Sequence, residues 1–178
     1  GTYRFLSWTK CCNNFTIEQA IREFRKFWIW EKFDGNNQYL LTADVARGDG
    51  QDYSVFHVFK LETAEVVAEY QGKVAPDIFA NILCDAGKEY GECLMVVENN
   101  SVGFAVLEKL KDMQYPNIYY SIKATHEYID QLTAEHTSNS VAGFTTSLKT
   151  RPIIVAKMEE FIRNKLITTY SSRLYNEF

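Results

Sequence analysis

The chain predicts a mixed α/β sheet with helices on both faces. Three alternating apolar segments joined by short turns in the first half read as an antiparallel meander. The second half interleaves helical periodicity with short apolar runs, which is the pattern of βα units. At 178 residues, with 46% hydrophobic and 15% aromatic content, the chain has enough apolar surface to enclose one core, which excludes disorder.

Residues 1–15 carry aromatics without a clear period. From Thr16 the spacing of Ile17, Ala20, Ile21, Phe24, Phe27 and Trp28 is helical. Asp34-Gly35-Asn36-Asn37 is a turn or linker signal. These features predict a linker or docking helix over 1–37, following a preceding domain, and a second unit over 38–178. Gly1 in place of an initiator Met fits a chain that begins partway through a longer protein.

Strands are predicted at about 38–46, 53–61 and 64–71, with turns at 47–52 and 62–63. Pro76 opens a helix with Ile78, Phe79, Ile82, Leu83 and Ala86 on its inner face, and Gly91 marks its exit. The run Leu94-Met95-Val96-Val97 predicts a strand over 93–98. Asn99-Asn100-Ser101 then caps a helix facing inward through Val102, Val106, Leu107, Leu110 and Met113. A short strand follows at Ile118–Ser121, and the polar stretch 123–143 predicts a surface loop. Arg151-Pro152 opens another helix, with Ile154, Val155, Met158, Phe161 and Ile162 inward. A short strand near 166–169 and the beginning of a helix at 172 complete the order β-β-β-α-β-α-β-α-β.

The formal charge of −4 and pI near 5.4 lack the basic excess of many nucleic-acid binders. Net charge decides little here, because an acidic metal centre adds negative charge that cations neutralise. Cys11, Cys12, Cys84 and Cys93 match no zinc spacing and read as reduced thiols. No apolar run approaches the roughly 20 residues of a membrane span.

Two acids stand out. Asp44 lies inside the apolar run Tyr39–Ala46, just before the Gly-rich turn Arg47–Asp52, and Glu98 closes the strand at 94–97. Burying an unpaired carboxylate costs several kcal/mol, roughly, so such an acid is expected to be protonated, paired, or facing a cleft with a metal. Two acids at the ends of two apolar strands suggest one divalent-cation site, for which hard carboxylate oxygens are the right donors. Asp52, beyond the turn, could return to the same cleft. The plainer readings are a turn residue for Asp52, a helix-capping acid for Glu98, and solvated charges for Lys149 and Arg151.

The element order, with these acids in the first and fourth strands, resembles the ribonuclease H-like fold. Leu41–Ser54 resembles the first nuclease motif of tailed-phage terminase large subunits, and Val96–Gly103 is similar to the second. Gly143-Phe144-Thr145-Thr146-Ser147-Leu148-Lys149-Thr150-Arg151-Pro152 is similar to the segment near the third motif. The resemblance covers about 38–178 and implies a metal-dependent endonuclease cutting double-stranded concatemeric DNA during viral genome packaging. It implies two Mg²⁺ or Mn²⁺ ions, Asp44 bridging both and Glu98 holding one, with Asp52 as an auxiliary group. Lys149 and Arg151, then Lys123 and Arg47, are the expected phosphate contacts.

Implied partners are an ATPase domain preceding residue 38, a portal protein and a small terminase subunit. The implied location is the host cell cytoplasm, with no membrane. The family's third acid lies on a C-terminal helix, usually in an Asp-Asp pair. No Asp follows Asp130 here, and the acids after residue 150 are Glu159, Glu160 and Glu177. The 178-residue form is therefore expected to cut weakly or not at all. Other readings are a non-catalytic module docking DNA or the portal, a resolvase or transposase of the same fold, and a nucleotide-binding relative of the actin-like ATPases. The last would need a second phosphate loop and a longer chain.

Overall fold

The computed structural model describes residues 27–122 and 140–177, together with the backbone of Leu6–Ser7. Its strands are β1 (Leu6–Ser7), β2 (Phe27–Ile29), β3 (Tyr39–Asp44), β4 (Ser54–Lys60), β5 (Glu65–Gly72), β6 (Leu94–Val97), β7 (Tyr120–Ile122), β8 (Ser140–Ala142) and β9 (Thr168–Thr169). Its helices are α1 (Pro76–Glu89), α2 (Ser101–Asp112), α3 (Thr150–Arg163) and α4 (Ser172–Glu177).

The main sheet runs β1-β2-β5-β4-β3-β6, and β9 pairs with β5. β3, β4 and β5 form the predicted antiparallel meander, and β6 joins β3 in parallel. Such a parallel neighbour requires a crossover, which α1 supplies. Ile118 extends this order by a single parallel bridge to Met95, while β7 pairs with β8. This is the ribonuclease H-like arrangement of strands.

Side-chain alternation divides the sheet into two unlike faces. Leu41, Ala43, Phe56, Val58, Ala68, Tyr70, Met95 and Val97 are buried beneath α1 and α2, which contribute Phe79, Leu83, Val106, Leu107 and Leu110. Phe56 and Tyr70 stack with ring centroids 5.4 Å apart, and Phe79 closes on Phe56 at 6.3 Å. The opposite face carries Leu40, Thr42, Val55, His57, Phe59 and Val96, and it is only partly covered by α3 and α4.

Several expectations change. Phe27 and Trp28 lie in β2, hydrogen-bonded to β5, so the predicted helix does not reach them and the sheet starts before residue 38. β-sheet pairing with a distant strand overrides a local 3.6-residue pattern there. Residues 8–26, which include most of that helix together with Cys11 and Cys12, lie outside the described residues. Ser140–Ala142 forms a strand where a loop was expected, and 123–139 lies outside the described residues. α3 forms where predicted, but none of its residues is buried: Ile154 and Val155 are 42% and 49% exposed. Its apolar side borders an open groove of about 580 Å³ against Leu40, Phe59 and Leu61. Cys84 and Cys93 are free thiols in the core.

Candidate metal centre

Asp44 is the last residue of β3, not an interior one as the sequence suggested, and it is exposed. The Ala43–Val97 pair is the final rung of the parallel β3–β6 ladder, and Glu98 donates its backbone N–H to the Ala43 carbonyl at 2.9 Å. The next residue on each strand, Asp44 and Glu98, therefore turns to the face opposite the buried Ala43 and Val97. Both side chains line a cleft of about 490 Å³ with Thr42, Val55, His57, Glu69 and Arg173. The C-terminal ends of parallel strands are where open α/β sheets offer such crevices.

The two carboxyl groups meet. Partial desolvation in the cleft raises the Asp44 pKa above 3.8, and a side-chain hydrogen bond and charge repulsion from Glu98 raise it further. Asp52 adds a smaller repulsion, while the Val45 backbone hydrogen bond acts in the opposite sense. Two neighbouring carboxylates that repel one another can share a proton, or a cation can take its place. Oxygen-only donors suit a hard divalent ion, and Mg²⁺ is commonly held by one or two carboxylates with substrate phosphates and water completing its shell. The pair fits that half-site. Among the described residues, no group of three or more His, Cys, Asp or Glu is gathered as a metal site.

The loops that follow β6 frame Glu98. Asn100 caps α2, its Oδ1 accepting from the N–H groups of Val102 at 3.2 Å and Gly103 at 2.8 Å. Those two backbone donors are thus taken up by the cap. On the other side Phe144 bridges Glu98 and donates to the Val97 carbonyl at 2.8 Å. Gly143 permits this approach: its φ is +82°, and a Cβ there would sit 2.5 Å from the Val97 oxygen.

The expected phosphate contacts are more dispersed. Lys149 is the N-cap residue of α3, Arg151 is the second residue of that helix, and Arg47 is exposed in the turn after β3. None of the three lines the cleft, and neither does Asp52. Lys123 lies outside the described residues.

The far wall of the cleft is formed by residues that no sequence motif marks. Glu69, 2% exposed, meets His57 Nε2 at 3.2 Å and accepts from Arg173. Arg173 also donates to Gln71 at 2.7 Å and stacks 3.7 Å above the Trp28 ring. Desolvation would raise the Glu69 pKa, yet the His57 and Ser171 hydrogen bonds and the Arg173 charge prevail and lower it. The alternation in β4 and the lone acid within Val66–Tyr70 were the available signals.

No protein-family model matches the sequence. The fold aligns with the large terminase nuclease of thermophilic phage G20c in its magnesium-bound form, with a TM-score of 0.60 and 16% identity. That alignment covers 81% of this chain and 64% of the phage protein. The chain has the ribonuclease H-like fold of phage large terminase nucleases. The zinc-bound form of the G20c nuclease aligns with a TM-score of 0.63 and 16% identity, covering 85% of this chain and 75% of that one. A cobalt-bound form gives 0.59 at 16% identity, with 81% and 63% covered. Against two of these three the chain thus spans slightly under two thirds of the terminase nuclease length.

Proposed function

We propose that this chain is the nuclease domain of a viral DNA-packaging terminase large subunit, cutting double-stranded concatemeric DNA by metal-dependent phosphodiester hydrolysis. The observation that carries the reading is the meeting of Asp44 and Glu98 at the mouth of a cleft on a terminase-nuclease fold. Magnesium or manganese, as a pair of ions, would supply an activated water and charge stabilisation at the scissile phosphate. Asp44 would bridge the cations and Glu98 would hold one, each through carboxylate oxygens. Asp52, close enough to act on Asp44 electrostatically, would orient water.

Lys149 and Arg151, with Arg47 and Lys123, would grip backbone phosphates, which position the duplex without reading its sequence. The network of buried Glu69 with the partly buried His57 and Arg173 would keep the far wall and α4 fixed while DNA enters. The wider setting proposed is a packaging motor in the host cell cytoplasm, with an ATPase domain, a portal protein and a small terminase subunit as partners.

Plasmid nicking in Mn²⁺ tests the reading. Activity should vanish in Asp44→Ala and Glu98→Ala variants of an extended chain that carries a third acid, and the 178-residue form should nick slowly. Retention of nicking in either variant would overturn it. The exposed apolar residues Leu148 and Ile153 favour a second reading, a non-catalytic module docking the portal. Binding of portal protein by an extended chain that never nicks DNA would select it.

A further inference from the structure

Asn99 follows Glu98 and turns away from the cleft, into the segment that leads to α3. Its backbone N–H donates to the Phe144 carbonyl at 2.9 Å. Its side-chain Nδ2 donates to the Ala142 carbonyl at 3.1 Å, and Thr145 Oγ1 donates to its Oδ1 at 2.9 Å. Both ends of the side-chain amide are thus engaged by residues 142–145. The chemistry fixes the amide orientation, because a carbonyl can only accept.

The Thr145 end continues the linkage. The Thr145 carbonyl accepts from Thr150 Oγ1 at 3.2 Å, and that hydroxyl accepts from the Ser147 N–H at 2.8 Å. Ser147 Oγ in turn accepts from the Thr150 N–H at 3.1 Å. The loop is thereby closed onto the first turn of α3, where Lys149 and Arg151 stand. α3 has no fully buried side chain, so packing holds its basic start weakly and this polar linkage adds to it.

We infer that Asn99 and Thr145 are positioning residues, a clasp that fixes the basic start of α3 relative to the acid pair. This rests on the nuclease reading above. The clasp would act on duplex binding through Lys149 and Arg151, leaving the carboxylates and their cation untouched.

The test uses the 178-residue protein, a fluorescein-labelled duplex in Ca²⁺ buffer, and calorimetric titration with Mn²⁺. Thr145→Val keeps the side-chain shape and removes the hydroxyl, while Thr145→Ser restores it. One missing hydrogen bond corresponds to a Kd increase of roughly three- to tenfold. Thr145→Val should show that weakening, with a salt slope shallower by about 1 for each phosphate that Lys149 or Arg151 no longer reaches. Thr145→Ser should match the parent, and Mn²⁺ affinity should be equal in all three. Parental duplex affinity and salt slope in Thr145→Val would overturn the inference, as would a weakening that serine fails to restore or one matched by weaker Mn²⁺ binding. A parent that binds neither duplex nor Mn²⁺ would remove the nuclease reading, and the clasp with it.

Discussion

Asp44 and Glu98 leave adjacent parallel strands one residue beyond the Ala43–Val97 rung, close enough that Glu98 raises the Asp44 pKa. Without a cation this arrangement opposes itself, since each charge disfavours the other. Asp44→Asn should therefore leave the metal-free protein at least as stable as its parent. The same variant should lose Mn²⁺-dependent stabilisation and nicking by more than the roughly 10- to 100-fold typical of an outer partner of a metal ligand. Thermal unfolding with and without Mn²⁺, beside a nicking assay, checks both parts.

Glu69 predicts an acid limb in stability. Its folded-state pKa lies below the ordinary 4.5, so the folded protein binds fewer protons than the unfolded chain in that range. The contribution is present above about 4.5 and is lost as pH falls through the depressed folded value. Urea unfolding across the acid range should show this loss, and Glu69→Gln should flatten it. Removing one partner of a buried ion pair costs about 3–5 kcal/mol, and a smaller cost is expected here because about a third of the Arg173 side chain remains accessible, 36% by area.

Gly143→Ala should destabilise through φ strain of about 1–2 kcal/mol, with the close approach to the Val97 oxygen adding to it. A fall in Tm of several degrees is expected for a domain of this size. Because the shift would move Phe144 against Glu98, Mn²⁺ affinity should fall as well, which calorimetry would detect.

α2 and α3 should respond unequally to truncation. Leu107 is fully buried, so Leu107→Ala should cost about 2–5 kcal/mol. Met158, on a helix that buries no side chain, should cost under about 1 kcal/mol when changed to Ala. Equal losses in chemical denaturation would show that α3 is packed as tightly as α2.

The meander, α1, β6 and α2 were legible because alternation, Pro76 and the Asn100 cap are local signals that the tertiary structure reinforces. The pairing of Asp44 with Glu98 followed from motif order, whereas its geometry depended on a parallel register that no local pattern encodes. Phe27 and Trp28 fit a helical stripe in the sequence, yet they form β2 because β5 offers them hydrogen bonds. The apolar spacing of α3 predicts a buried face, and the structure buries none of it because spacing cannot reveal whether anything covers a helix. His57, Glu69 and Arg173 are far apart in sequence, and only sheet pairing and α4 bring them into one cleft wall.

Anomalous diffraction from crystals soaked in Mn²⁺ tests the acid pair most directly. A peak within coordination distance of both Asp44 and Glu98, absent from Asp44→Asn crystals, is the predicted result. A cation bound elsewhere, or a peak unchanged in that variant, would contradict a metal centre at these two carboxylates.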